Sequence, residues 1–86
     1  MIKILFKPTF IKQINELEKN LLEEVFEKIE LFKDRKNHKM LKVHKLHGKL
    51  SGRFSFSVNY SFRIVFRYDE DDNAIFLDIG DHDLYK

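Results

Sequence analysis

The sequence predicts an α/β domain of the α+β type, in the order β-α-α-β-β-β, with a helical hairpin packed on one face of a mainly antiparallel, four-stranded sheet. Three observations predict it. Two stretches near the N-terminus repeat apolar residues at helical spacing. Three other stretches alternate apolar and polar residues with the period of a strand, and a fourth, short and apolar, reads as the last strand. Nothing but the helical hairpin carries a second apolar surface, so the hairpin must cover the apolar face of the sheet.

The elements follow in order. "MIKILFK" places Ile2, Ile4 and Phe6 on one side and Lys3 and Lys7, with Leu5, on the other, a strand pattern. Pro8 stops this strand, and Thr9 is placed to cap the helix that carries Phe10, Ile11, Ile14 and Leu17. Asn20 followed by Glu23 reads as a second cap with its capping-box partner. The second helix turns Leu21, Leu22, Val25, Ile29 and Phe32 inward, and Glu23, Glu24, Glu27, Lys28 and Glu30 form a solvated outer face. "KDRKNHK" is polar and reads as a loop. Met40, Leu41, Val43, Leu46 and Leu50 follow, with turns at Gly48 and Gly52. "RFSFSVNY" sends Phe54, Phe56, Val58 and Tyr60 to one side, and "FRIVFRY" does the same with Phe62, Ile64, Phe66 and Tyr68. "DEDDN" closes an acidic hairpin, and "AIFLDIG" is the last strand.

With 86 residues the chain is read as one domain, residues 1–86, with one core. A chain of this size buries about 60–65% of its unfolded surface. Cysteine is absent, which excludes disulfides and thiolate metal sites and suits a cytoplasmic location. No apolar run approaches the roughly 20 residues that cross a bilayer, and Lys3 interrupts any signal-peptide core, so no membrane partner is expected. A net charge of +2 excludes a protein that holds nucleic acid by bulk electrostatics. Such a partner would need a local basic patch.

That patch is visible. Period two places Arg63 and Arg67 opposite Phe62, Ile64 and Phe66, and puts Arg53, Ser55 and Ser57 on the corresponding side of the neighbouring strand. A wet second face is common in antiparallel sheets, but its sign is not explained that way. No Asp or Glu occurs from His38 to Tyr68, where every charged residue is Lys or Arg. The expected second face is basic, hydroxyl-bearing and open to water.

The four histidines are His38, His44, His47 and His82. Imidazole exchanges protons near neutrality. RNA can be cut without a metal when its 2′-hydroxyl attacks the adjacent phosphate. That reaction needs a base for the 2′-proton, an acid for the leaving 5′-oxygen and fixed positive charge at the phosphate. His44 just before the basic face, His82 after the last strand and an arginine between them would meet those needs. His38, in a lysine-rich loop, reads as a plain surface residue. His44 and His47 have half a zinc spacing, but with no cysteine and scattered acids no metal or other cofactor is expected.

The segments "HKLHGKLSGRFSFSVNYSFRIVFRY" and "LDIGDHDLYK", set in the β-α-α-β-β-β order, resemble the RelE/ParE superfamily of bacterial and archaeal toxins, on its RelE, YoeB and YafQ-like side. The resemblance implies a single RelE-like toxin domain. Its implied activity is metal-independent cleavage of mRNA, in many members at the ribosome, with a cognate antitoxin protein as the controlling partner. It implies that Arg63 steadies the scissile phosphate, that His82 is the general acid and His44 the general base (roles that can be exchanged), and that Tyr85 stacks on or orients the substrate. Lys45, Lys49, Arg53 and Arg67 would contact phosphates. Two other functions are compatible with the same fold, a ParE-like inhibitor of DNA gyrase and a non-catalytic binding domain.

Overall fold

The computed structural model describes residues 1–81. It contains two helices on a five-stranded sheet. Strand β1 (Ile4–Phe6) leads into α1 (Pro8–Ile14) and α2 (Lys19–Phe32), followed by β2 (His44–Lys45), β3 (Phe54–Ser57), β4 (Arg63–Tyr68) and β5 (Ala74–Gly80). The sheet order is β1-β5-β4-β3-β2, with β1 parallel to β5 and every other pair antiparallel. The expected four strands become five because His44 and Lys45 pair with Ser55 and Phe54 as a short edge strand. Two residues give no period from which a strand can be read.

Both helix starts differ from expectation. Thr9 does not cap α1. Pro8 occupies its first turn, where a missing N–H costs nothing, and the backbone of Lys7 is the cap without any side-chain hydrogen bond. The cap of α2 is Glu18 rather than Asn20, and its carboxylate accepts the N–H of Leu21 at 2.6 Å. A carboxylate here also meets the positive end of the helix dipole.

The core is phenylalanine-rich and lies between the helices and one face of the sheet. Val25, Ile29 and Phe32 are the buried stripe of α2. Phe32 stacks on Phe56 with ring centroids 4.8 Å apart and meets Phe66 and Phe76 edge-on at 4.9 and 5.3 Å. Phe10 of α1 packs edge-on against Phe76 at 5.5 Å. Edge-to-face and offset pairs of this kind add to the area they bury. Gln13 extends the contact of α1, accepting the Ile79 N–H at 2.9 Å and donating to Asp78 at 3.3 Å. It satisfies the edge of β5 beyond the last residue paired with β1.

His38 is not a plain surface residue. Its ring stacks on Phe32 at 4.6 Å and its Nε2 donates to the Phe32 carbonyl at 2.7 Å. It closes the C-terminal end of α2 and has a structural role. The acidic hairpin is built around Asp69, which accepts from the N–H groups of Asp71 and Asn73 and from the Asn73 side chain. Partial burial alone would raise the Asp69 carboxyl. The hydrogen bonds from Asn73 and Asp71, with the Arg67 charge, hold it below the ordinary carboxylate value.

The second face of the sheet is not open throughout. Ser55 and Val65, paired at its centre, are buried, while Arg53 is exposed and Arg63 and Arg67 are half-buried. No helix among the described residues is long and apolar enough to cross a membrane.

Candidate nucleic-acid interface

Strand register places the predicted residues. His44 pairs with Ser55, and Ser57 pairs with Arg63. Ser55 and Ser57 are two apart on β3, so His44 and Arg63 lie on the same side of the sheet. Two strand spacings and two residues of rise separate their Cα atoms by about 12 Å. Side chains of this length can converge on a phosphodiester from that separation.

His44 is exposed on the edge strand, and its Nδ1 lies 2.8 Å from the Lys42 carbonyl oxygen. A carbonyl only accepts, so the neutral ring carries its proton on Nδ1 and leaves the lone pair on Nε2. The Lys42 carbonyl is aimed this way by an unusual backbone, with φ 60°.

Arg63 begins β4, and its Nη1 donates to the carbonyl oxygens of Asn59, Tyr60 and Phe62 at 2.7, 3.2 and 3.2 Å. That anchors the guanidinium through one nitrogen. The Nε and Nη2 edge, which makes paired hydrogen bonds to phosphate, carries no hydrogen bond or ion pair among the described residues. The turn that supplies these carbonyls is itself held by Asn59, whose Oδ1 accepts the N–H groups of Ser61 and Phe62, both at 2.8 Å, and whose Nδ2 donates to Glu24 at 2.6 Å.

The other cations separate into groups. Arg67 pairs with Ile75 and lies two residues beyond Val65, at the far end of the face from Arg63. Arg53 sits just before β3 at the same end, its carbonyl accepting the Leu46 N–H at 2.8 Å. Lys45 pairs with Phe54 and therefore lies on the opposite side of its strand from His44. Lys49 is exposed on the 3₁₀ turn Gly48–Leu50, after His47. Thus β2, β3 and β4 place His44 and Arg63 on one side of the sheet, with Arg53 and Arg67 on that side at the end opposite Arg63, and direct Lys45 away. His82 and Tyr85 lie outside the described residues. Among the described residues no group of three or more His, Cys, Asp or Glu side chains is arranged to hold a metal ion.

Two contributors were missed in the sequence. Lys42 acts through its carbonyl, for which the side chain gives no signal. Asn59 reads as a strand residue in "RFSFSVNY", yet it forms an Asx turn, and the Asn-Tyr-Ser run was the available sign. That turn also corrects Tyr60, which was expected to face inward and is 97% exposed.

Solved structures share this architecture. A chain of the toxin–antitoxin complex RelBE2 from Mycobacterium tuberculosis superposes with a TM-score of 0.71 at 20% identity, over 94% of this chain and 98% of that one. A chain of the archaeal RelE–RelB complex from Pyrococcus horikoshii gives 0.71 at 13% identity, over 93% of both chains. YafQ from E. coli gives 0.67 at 14% identity, over 99% of this chain and 98% of its own. No protein-family model matches the sequence, and no curated protein does. The likeness is one of fold, end to end, and it agrees with the element order and the helical hairpin described above: the chain has the RelE-like fold of these structures.

Proposed function

We propose that the protein is the toxin of a type II toxin–antitoxin pair and an endoribonuclease that cuts mRNA, at the ribosome and without a metal ion. The observation that carries this reading is the anchored Arg63, whose Nη1 is tied to three carbonyls while its Nε and Nη2 edge carries no hydrogen bond or ion pair among the described residues. His44, with its proton held on Nδ1 by the Lys42 carbonyl, is the base that takes the 2′-proton at Nε2. The oxygen so freed attacks the adjacent phosphorus, and the bond to the 5′-oxygen breaks. Arg63 stabilises the charge that builds on the phosphoryl oxygens. His82 returns a proton to the leaving oxygen, and Tyr85 orients the substrate. Arg53 and Arg67 hold the backbone at the other end of the face from Arg63, with Lys45 and Lys49 contacting phosphates beyond the edge of β2.

The partner that restrains this activity is a cognate antitoxin protein. Complexes with RelB among the structural neighbours support it. The test is expression of wild type and of the His44→Ala, Arg63→Ala and His82→Ala variants without an antitoxin. Each substitution should lower the cleavage rate by about 10²–10⁴-fold and relieve growth arrest, with the fold intact by circular dichroism. Transcript sequencing should find new 5′-ends only with the wild type, and plasmid supercoiling should not change. Equal toxicity of the folded variants overturns the reading, and loss of supercoiling control without transcript cleavage replaces it with gyrase inhibition.

A further inference from the structure

Tyr60 stands almost wholly in water, 97% exposed. An isolated exposed aromatic needs no explanation. This one differs because its backbone is fixed from both sides. Asn59 closes the turn beneath it through two N–H groups and reaches across to Glu24. Val58 N–H donates to the Phe62 carbonyl at 2.9 Å across the base of the turn. Arg63 Nη1 gathers the carbonyls of Asn59, Tyr60 and Phe62 from the other side. A ring with two rotatable bonds on so constrained a stem loses little freedom when something stacks on it.

The surroundings indicate what would stack. Tyr60 and Arg63 line one groove of about 580 Å³ with Met40, Lys42, Ser57 and α2 residues including Glu27. Met40 is 60% exposed, a second polarisable apolar surface in the groove. The groove thus combines flat apolar surface with Arg63 and Lys42 on the sheet side and with Glu24, Glu27 and Lys28 on the helix side. An unpaired nucleotide matches that arrangement, with its base between the aromatic and thioether surfaces, its phosphate toward Arg63, and its amino groups toward the α2 carboxylates.

We propose that Tyr60 is the stacking platform for an unpaired RNA base adjacent to the phosphate held by Arg63. This rests on the RNA-cleaving reading above. The turn that presents the ring also aims the guanidinium, since the Tyr60 carbonyl is one of the three that anchor Nη1. One four-residue device therefore sets both the phosphate and the neighbouring base. A protein side chain could also meet an exposed tyrosine, but Arg63 and Lys42 beside the ring belong to a stretch, His38 to Tyr68, that holds no acidic residue, and Glu24 opposite is already engaged by Asn59, which favours an anionic partner.

The experiment uses the full chain and 2′-O-methyl RNA oligonucleotides, which bind but cannot be cut, with 2-aminopurine at successive positions. Wild type should bind and quench the fluorophore at one position. Tyr60→Ala should weaken binding about tenfold and remove that quenching, while Tyr60→Phe keeps both and neither variant shifts the melting temperature. If Tyr60→Ala binds and quenches like wild type while Arg63→Ala loses binding, the platform is overturned and the RNA reading stands. If wild type binds no RNA, the platform is overturned, and the RNA-cleaving reading stands or falls on the transcript sequencing above. If Tyr60→Ala loses only antitoxin binding, the platform is overturned in favour of a protein contact.

Discussion

Lys42 carries a left-handed backbone, φ 60°, which costs a side-chain-bearing residue about 1–2 kcal/mol. What it supplies is a carbonyl, not an amine, since its oxygen fixes the proton on His44. Lys42→Gly should therefore stabilise the fold by about 0.5–1 kcal/mol, the relieved strain less the extra unfolded-state freedom of glycine, and leave the His44 contact in place. Urea unfolding measures the first effect, and the pH dependence of RNA cleavage measures the second. This scale was the least legible in the sequence. His44 and Arg63 were visible as residue types on one side of a period-two pattern. Their orientation depends on backbone oxygens at 42, 59, 60 and 62, and every residue has such an oxygen. His38 was misread for the opposite reason, because a lysine-rich neighbourhood concealed a ring stacked on Phe32.

Among elements, α2 determines most of the packing, and Phe32 is its principal contact. Its ring meets Phe56, Phe66 and Phe76, one from each of β3, β4 and β5, so it joins the helix to the centre of the sheet. Phe32→Ala should cost about 3–5 kcal/mol, a large share of the stability of a domain this small. Denaturant unfolding should show the midpoint falling, with the loss extending to the helical end that His38 closes. The apolar stripe of α2 was legible because helical period and burial coincide there. Its cap was not. Asn20 and Glu23 satisfy the capping-box pattern, but the chain enters the helix two residues earlier, and Glu18 takes the position that geometry requires. The fifth strand was hidden because its pairing continues β3 outward through the carbonyls of Leu41 and Arg53, which no side-chain alternation records.

Over the whole molecule, near-neutrality is a sum of two separated populations. Acids occupy the helices, the β4–β5 hairpin and the C-terminal residues, while the stretch from His38 to Tyr68 is cationic throughout. The ion pairs Lys28–Glu27, Lys33–Glu30 and Lys36–Asp34 lie on α2 and the segment just after it, and involve none of the proposed contact residues. RNA binding should then depend on salt through a few discrete contacts. With Lys45, Lys49, Arg53, Arg63 and Arg67 each meeting a phosphate, log affinity against log salt should fall with a slope of about −3.5, and by about 0.7 less for each cation removed. A titration by fluorescence anisotropy from low to moderate salt checks this, and a flat line would remove the electrostatic track. The parallel pairing of Ile4–Phe6 with Ala74–Phe76 joins residues some 70 positions apart. A growing polypeptide cannot complete the sheet until β5 has been made, and Arg63 gains its strand partner Gly80 only then. Contacts this distant in sequence slow folding, and the newly made chain passes through an interval in which the proposed cutting face does not yet exist.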